Sequence, residues 1–187
     1  MFKGTSASAG IGIGKAVIVE EAELVITRNE VADAEAEIQR FKGALEKTIA
    51  ATQKMADDLA SRVGEKEAEI MQGHMMLLSD PMLTGEIENS VKNDKVNCEF
   101  AIENVCNMYA DMFASMGDEL MQQRATDMRD IKVRMQRTLM GLESVDVSLL
   151  PKGSILVAKD LTPSMTAGIN PANVTGIVTE LGGRTSH

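Results

Sequence analysis

Apolar side chains return at every third or fourth position from residue 24 to residue 142, as they do in helices with one buried stripe. Val31, Ala34, Ile38, Phe41, Leu45, Ile49, Met55, Leu59 and Val63 form the first stripe and predict a long amphipathic helix ending near Gly64. Thr27 and Glu30 stand at capping-box spacing ahead of it. A second helix is expected over 65–78. Asp80-Pro81 then supplies a cap and a proline at the first helical position, which restarts the helix. After Asn97 another long helix is expected, with Phe100, Val105, Met108, Met112 and Met116 facing inward, until Gly117-Asp118 breaks it. The last carries Met121, Met128, Ile131, Met135, Leu139 and Leu142, and Gly141 marks its end. Helices joined by short turns predict an antiparallel bundle.

The pattern changes on both sides of this stretch. Gly10-Ile11-Gly12-Ile13-Gly14 leads into the β-branched run Ala16-Val17-Ile18-Val19, a short strand. Ser154-Ile155-Leu156-Val157-Ala158 reads as a buried strand, Thr162-Pro163 as the start of a short helix, and Val174-Thr175-Gly176-Ile177-Val178-Thr179 as another strand. Gly182-Gly183 marks a tight turn. Residues 1–23 and 143–187 therefore read as one α/β domain, with the helical domain 24–142 inserted between them.

Composition adds three constraints. Hydrophobic residues make up 44% of the 187, enough for a sizeable core, while aromatic residues are only 3% and fourteen methionines take over some of their packing. The net charge of −9 opposes binding to nucleic acid or anionic lipid and favours a basic partner. Cys98 and Cys106 lie eight residues apart on one predicted helix, roughly 12 Å along its axis, too far for a disulfide. Free thiols, no opening signal peptide and no apolar run of about 20 residues together predict a cytoplasmic protein without membrane spans.

The sequence holds two histidines, His74 and His187. His187 follows a Gly-Gly turn, Arg184 and two hydroxyl residues. Glycines let backbone amides approach a phosphate, and a guanidinium offers a fork of donors to it. A neutral imidazole is nucleophilic at one nitrogen when the other is held by a hydrogen bond. His74 shares a stripe with Met75 and Leu78, next to a short break and acidic residues. A core stripe and a docking surface for a basic carrier both fit that pattern.

Gly182-Gly183-Arg184-Thr185-Ser186-His187 resembles the phosphohistidine signature of the phosphoenolpyruvate-utilising enzymes. Asp160-Leu161-Thr162-Pro163-Ser164 with Thr166 resembles the preceding segment of Enzyme I of the bacterial sugar phosphotransferase system. Gly73-His74-Met75-Met76-Leu77-Leu78, Arg124-Ala125-Thr126-Asp127-Met128-Arg129-Asp130-Ile131 and the opening Gly10-Ile11-Gly12-Ile13-Gly14-Lys15-Ala16 resemble further Enzyme I segments in the same order. The resemblance implies an α/β phosphohistidine domain, incomplete here, with an inserted all-α domain that docks the carrier protein HPr. It implies phosphoryl transfer from phosphoenolpyruvate through His187 to HPr, the first step of sugar transport by that system. Thr166 would partner the imidazole and Arg184 the phosphate. Glu65, Glu67, His74, Met75, Leu78, Asp80, Phe113, Leu120 and Arg124 would form the HPr site, although Lys66 interrupts the acidic run and Pro81-Met82 stand where further carboxylates are expected. Phosphoenolpyruvate and Mg²⁺ would bind a C-terminal barrel, which would also form a homodimer. This chain would then be an N-terminal fragment, inactive alone and needing no cofactor of its own.

Two other readings remain open on the sequence: a dikinase or synthase sharing the histidine motif, and a non-enzymatic acidic helical adaptor. The inserted helices with Gly73-His74 argue against a dikinase. Phosphorylation of His187 separates enzyme from adaptor.

Overall fold

A computed structural model describes residues 4–182. The chain falls into two units, one of residues 23–144 and one formed by the chain before 23 with the chain from 145 onward.

The first unit is helical: α1 (Ala34–Arg62), α2 (Glu65–Leu78), α3 (Pro81–Asp94), α4 (Cys98–Ser115) and α5 (Glu119–Met140). Local chemistry sets most of the ends. The Asp80 carboxylate accepts from Met82 N, with Pro81 in the first turn of α3. Asp118 accepts from Leu120 N and Met121 N, and Gly141 closes α5 in the left-handed region at φ 66°. The start of α1 differs from the sequence expectation. Its cap is Asp33, which accepts from Ala36 N, and Thr27 and Glu30 play no part in it. Residues 29–31 pair instead with 95–97: Val31 N donates to Lys95 O, Asn97 N to Asn29 O, and Glu30 bridges Val96. That pairing takes the backbone groups a longer helix would have used. Asn97 stands at the start of α4, but its side-chain oxygen accepts from Asn29 N rather than capping α4.

Ile38, Phe41, Leu78, Leu83, Ile87, Ile102, Met128, Ile131 and Met135 form one buried core. Met108, Met112 and Met116, expected inside, are all exposed. Met112 and Met116 share the rotational position of buried Cys98 and Val105 on α4, so the helical period is correct and only the covering is missing.

Arg40 ties α1 to α4. Its two terminal nitrogens reach both oxygens of Glu99 at 2.8 Å, and Nη2 reaches Glu37 at 2.7 Å. Burial by itself would raise the Glu37 and Glu99 carboxyls; Arg40 and the hydrogen bonds around them outweigh it and hold both below their ordinary 4.5. Carboxyls with a lowered folded-state pKa add stability that is present above pH 4.5 and lost as pH falls through the folded value. Urea unfolding between pH 6 and pH 3 is expected to show this loss, and Arg40→Gln is expected to flatten it. An unchanged acid slope in Arg40→Gln would show that other carboxyls carry the effect.

The second unit contains β1 (Lys15–Val19), β2 (Ser154–Ala158) and β3 (Val174–Thr179), in the order β1-β2-β3 with both pairings parallel. The 3₁₀ turn Val147–Leu149 and α6 (Pro163–Gly168) pack beneath the strands, around Val19, Val147, Leu150, Leu156 and Ile169. Thr162 caps α6 by accepting from Met165 N. The glycines ahead of β1 are required by contact. A Cβ on Gly12 would collide with the carbonyl of Thr175, and one on Gly14 with that of Gly153. Ile11, Ile13, Ile18 and Val178 remain exposed in this unit.

Candidate functional site

In the α/β unit an open cleft of about 500 Å³ runs along β3 and is walled by Asp160, Leu161, Thr166, Thr179, Leu181 and Gly182, among others. The turns after β2 and β3 form its rim, where Leu181 N donates to Lys159 O and Glu180 N to Ala158 O. Thr166, on α6, donates its hydroxyl to Thr162 O at 3.0 Å. With its proton so placed, Thr166 Oγ1 has lone pairs to offer an N–H donor in the cleft. His187 and Arg184 lie outside the described residues. The last described one, Gly182, has φ 101° and lines the cleft five positions before His187.

In the helical unit the residues expected to dock a partner divide into two sets. Glu65 and Glu67 are exposed in the first turn of α2, where negative charge complements the helix dipole. Leu120 is exposed, Arg124 and Met75 are half-buried, and Asp80 is half-buried with its carboxylate engaged as the α3 cap. Phe113 is half-buried against Tyr109 and the core. His74 and Leu78 are fully buried, which corrects the expectation that they offer a surface. Leu78 belongs to the core, while His74 turns toward α5. Its Nε2 lies 3.2 Å from Asp127 Oδ1 and its Nδ1 3.8 Å from Asp130 Oδ2.

The polar cluster continues from there. Arg124 Nη1 lies 3.9 Å from the other Asp127 oxygen, and its guanidinium rests on Gly73, where a Cβ would sit 2.8 Å from Nη1. Farther along α5, Arg134 Nη2 donates to Thr52 Oγ1 at 2.7 Å. Burial lowers the Arg134 pKa against the opposing pull of Asp130. Asp127, Asp130 and Arg134 escaped the sequence reading because partners on α1 and α2, far away in sequence, are what make their burial possible. The contact over Gly73 explains a glycine inside a helix. Gly73→Ala gains about 1 kcal/mol of helix propensity, but it must displace the Arg124 head. Stability is therefore expected to stay within about 1 kcal/mol of the parent while the Arg124 resonances shift in NMR spectra. A drop of several kcal/mol would mean that the guanidinium cannot move.

The exposed apolar side chains of this unit include Met76 on α2, Met82 on α3, and Met108, Met112 and Met116 on and just beyond α4. Met76 stands one turn after Gly73 and Leu120 one turn before Arg124, so both flank the Gly73–Arg124 contact. Cys98 and Cys106 are buried, and burial, joined at Cys98 by the Glu37 charge, pushes both thiols up to about 12. Among the described residues no group of three or more His, Cys, Asp or Glu side chains could hold a metal ion. No described helix is long and apolar enough to cross a membrane.

Residues 3–124 match the family described as PEP-utilising enzyme, N-terminal, and residues 150–187 the family described as PEP-utilising enzyme, mobile domain. The chain is 42% identical over 186 residues to the phosphoenolpyruvate-protein phosphotransferase of Listeria monocytogenes and 40% identical over 186 residues to that of Bacillus subtilis. Both matches cover 100% of this chain but 32% and 33% of the relatives, so it spans about a third of their length. It is similar to an NMR solution structure of Enzyme I (nEIt), with TM-score 0.88 and 38% identity, over 100% of this chain and 76% of that one. It is also similar to the N-terminal domain of Enzyme 1 - Nitrogen, with TM-score 0.68 and 25% identity, over 97% and 74% of the two chains.

Proposed function

Because this chain belongs to the phosphoenolpyruvate-utilising enzymes, we propose that it forms the carrier-docking and phosphohistidine part of a phosphoenolpyruvate-protein phosphotransferase, an Enzyme I. His187 is the phosphoryl acceptor. A neutral imidazole nitrogen attacks phosphorus; the N–P bond forms as the P–O bond of phosphoenolpyruvate breaks, and the released enolate takes up a proton to give pyruvate. The phosphoryl group then passes to a histidine of HPr, which regenerates His187. Thr166 accepts the N–H of the same imidazole, which leaves the other nitrogen's lone pair free for attack. Arg184 neutralises phosphate oxygens. Phosphoenolpyruvate and Mg²⁺ belong to the C-terminal barrel of the whole protein, which also carries its homodimer contact. The described residues offer the metal no ligand cluster. Buried free thiols suit a cytoplasmic setting.

One observation carries the docking half of this reading. The helical unit exposes Met76, Met82, Met112, Met116 and Leu120, and its α2 begins with the exposed Glu65 and Glu67. Adaptable apolar side chains and acidic residues exposed on one unit fit a small basic carrier, with the apolar part giving contact area and the charges giving steering. The proposed HPr site thus keeps Glu65, Glu67, Met75, Asp80, Phe113, Leu120 and Arg124, with Met76 in place of His74 and Leu78.

Titrating unlabelled HPr into the isotope-labelled chain tests this. Shifts are expected at 76–83 and 112–124, and affinity is expected to fall as salt screens the steering charges. Shifts confined to the α/β unit would sink the docking assignment. In the chain continued through its phosphoenolpyruvate-binding part, His187→Ala is expected to abolish acid-labile phosphate; phosphate persisting there would favour the adaptor reading for this part.

A further inference from the structure

We infer that the exposed methionines of the helical unit form a modification site, at which sulfoxide formation by a peroxide switches off carrier docking reversibly. The thioethers of this unit differ widely in exposure, with Met55, Met75 and Met121 between the extremes. Met76 is 73% exposed, Met82 67%, Met108 53%, Met112 44% and Met116 58%. Met71, Met128 and Met135 are 0%, 1% and 1% exposed and belong to the interior. Met108, Met112 and Met116 follow one another at four-residue steps, so they share one side of α4 and its end.

The cysteines of this unit do not compete for the oxidant. Peroxides attack cysteine as the thiolate, and burial keeps Cys98 and Cys106 in the thiol form with pKa about 12. A thioether needs no ionisation. Its sulfur lone pair attacks a peroxide oxygen, the O–O bond breaks, the S–O bond forms and water leaves. Sulfur loses two electrons and the peroxide gains them. A dithiol reductase reverses the step, releasing the oxygen as water while the dithiol closes to a disulfide. Each sulfoxide turns a deformable apolar contact into a strongly polar one, and a docked partner would have to desolvate it. The core methionines stay out of reach, so the unit loses its docking face without losing its fold.

The functional half of this inference rests on the docking proposed above, and the experiment separates the two. The full chain is treated with dilute hydrogen peroxide, the peroxide is removed, and HPr is added. Peptide mass spectrometry is expected to find sulfoxide at Met76, Met82, Met108, Met112 and Met116 before Met71, Met128 or Met135, with an unchanged circular dichroism melt. HPr affinity is expected to fall roughly ten-fold or more, and a methionine sulfoxide reductase with dithiol is expected to restore it. The combined Met76→Leu, Met82→Leu, Met108→Leu, Met112→Leu and Met116→Leu variant removes every thioether of this site, and its HPr affinity, whatever the starting value, is expected to be the same before and after peroxide. Met140 is an internal control, because it is also exposed but lies about 30 Å from Leu120 along α5. Met140→Leu is expected to leave the sensitivity in place. Equal HPr affinity of the native and fully oxidised chain overturns this inference while leaving the docking reading intact. So does a five-leucine variant whose HPr affinity still falls after peroxide. Failure of HPr to bind the untreated chain overturns both.

Discussion

Leu78→Ala is expected to cost the helical unit about 2–5 kcal/mol, read as a lower urea midpoint by circular dichroism. Leu78 has no exposed surface and shares a core with Ile38, Leu83 and Ile87, so truncation leaves a cavity that surrounding helices close only in part. His74→Ala is expected to be comparably severe, about 2–4 kcal/mol. It removes a buried ring and also strips Asp127 and Asp130 of the imidazole that faces them. Leu78→Met keeps the volume and is expected to cost under about 1.5 kcal/mol, which separates cavity formation from loss of leucine as such. Native stability in both alanine variants, with HPr affinity alone reduced, would return these residues to the docking surface and contradict their burial.

Gly14→Val is expected to dismantle the edge of the parallel sheet. The Cβ would overlap the Gly153 carbonyl, and that carbonyl already accepts from Lys15 N at 3.0 Å. The two backbones are fixed against each other by this bond and by the pairing of Lys15 with Ser154, so neither yields without breaking the register of β1 on β2. A cost of about 2–4 kcal/mol is expected, confined to the α/β unit. Hydrogen exchange should accelerate at Val17 and Leu156 and stay unchanged at Ile131 in α5. Unaltered protection at Leu156 would mean that β1 accommodates a side chain there. Gly4, which has no neighbour at the position of a Cβ, serves as the tolerant comparison.

Both experiments probe places where local pattern and tertiary environment answer different questions. Along α4, periodicity ranked Met108, Met112 and Met116 with Val105, because a helical repeat reports rotation about the axis and nothing else. Whether a given rotation is buried depends on how far the neighbouring helices extend, and near the end of α4 the methionines are left uncovered. The reverse happened on α5. Asp127, Asp130 and Arg134 look like a solvated face in sequence, yet they are buried because His74 and Thr52 meet them there. Thr27 and Glu30 show a third kind of conflict. Their spacing favours a capping box, but the backbone of residues 29–31 pairs with residues 95–97 instead.

The sequence by itself determined what depends on near neighbours along the chain. Asp80-Pro81 started α3, Asp118 and Gly141 bounded α5, Thr162-Pro163 opened α6, and the β-branched runs became strands, because caps, proline and glycine act within one turn. It also carried the order of motifs that relates the chain to phosphoenolpyruvate-utilising enzymes. Only the tertiary structure decided which side of each helix met another, and so which residues could touch a partner. Met76 and His74 are two positions apart on one helix. One is exposed and the other fully buried, because α5 brings two carboxylates to His74 and nothing among the described residues covers Met76.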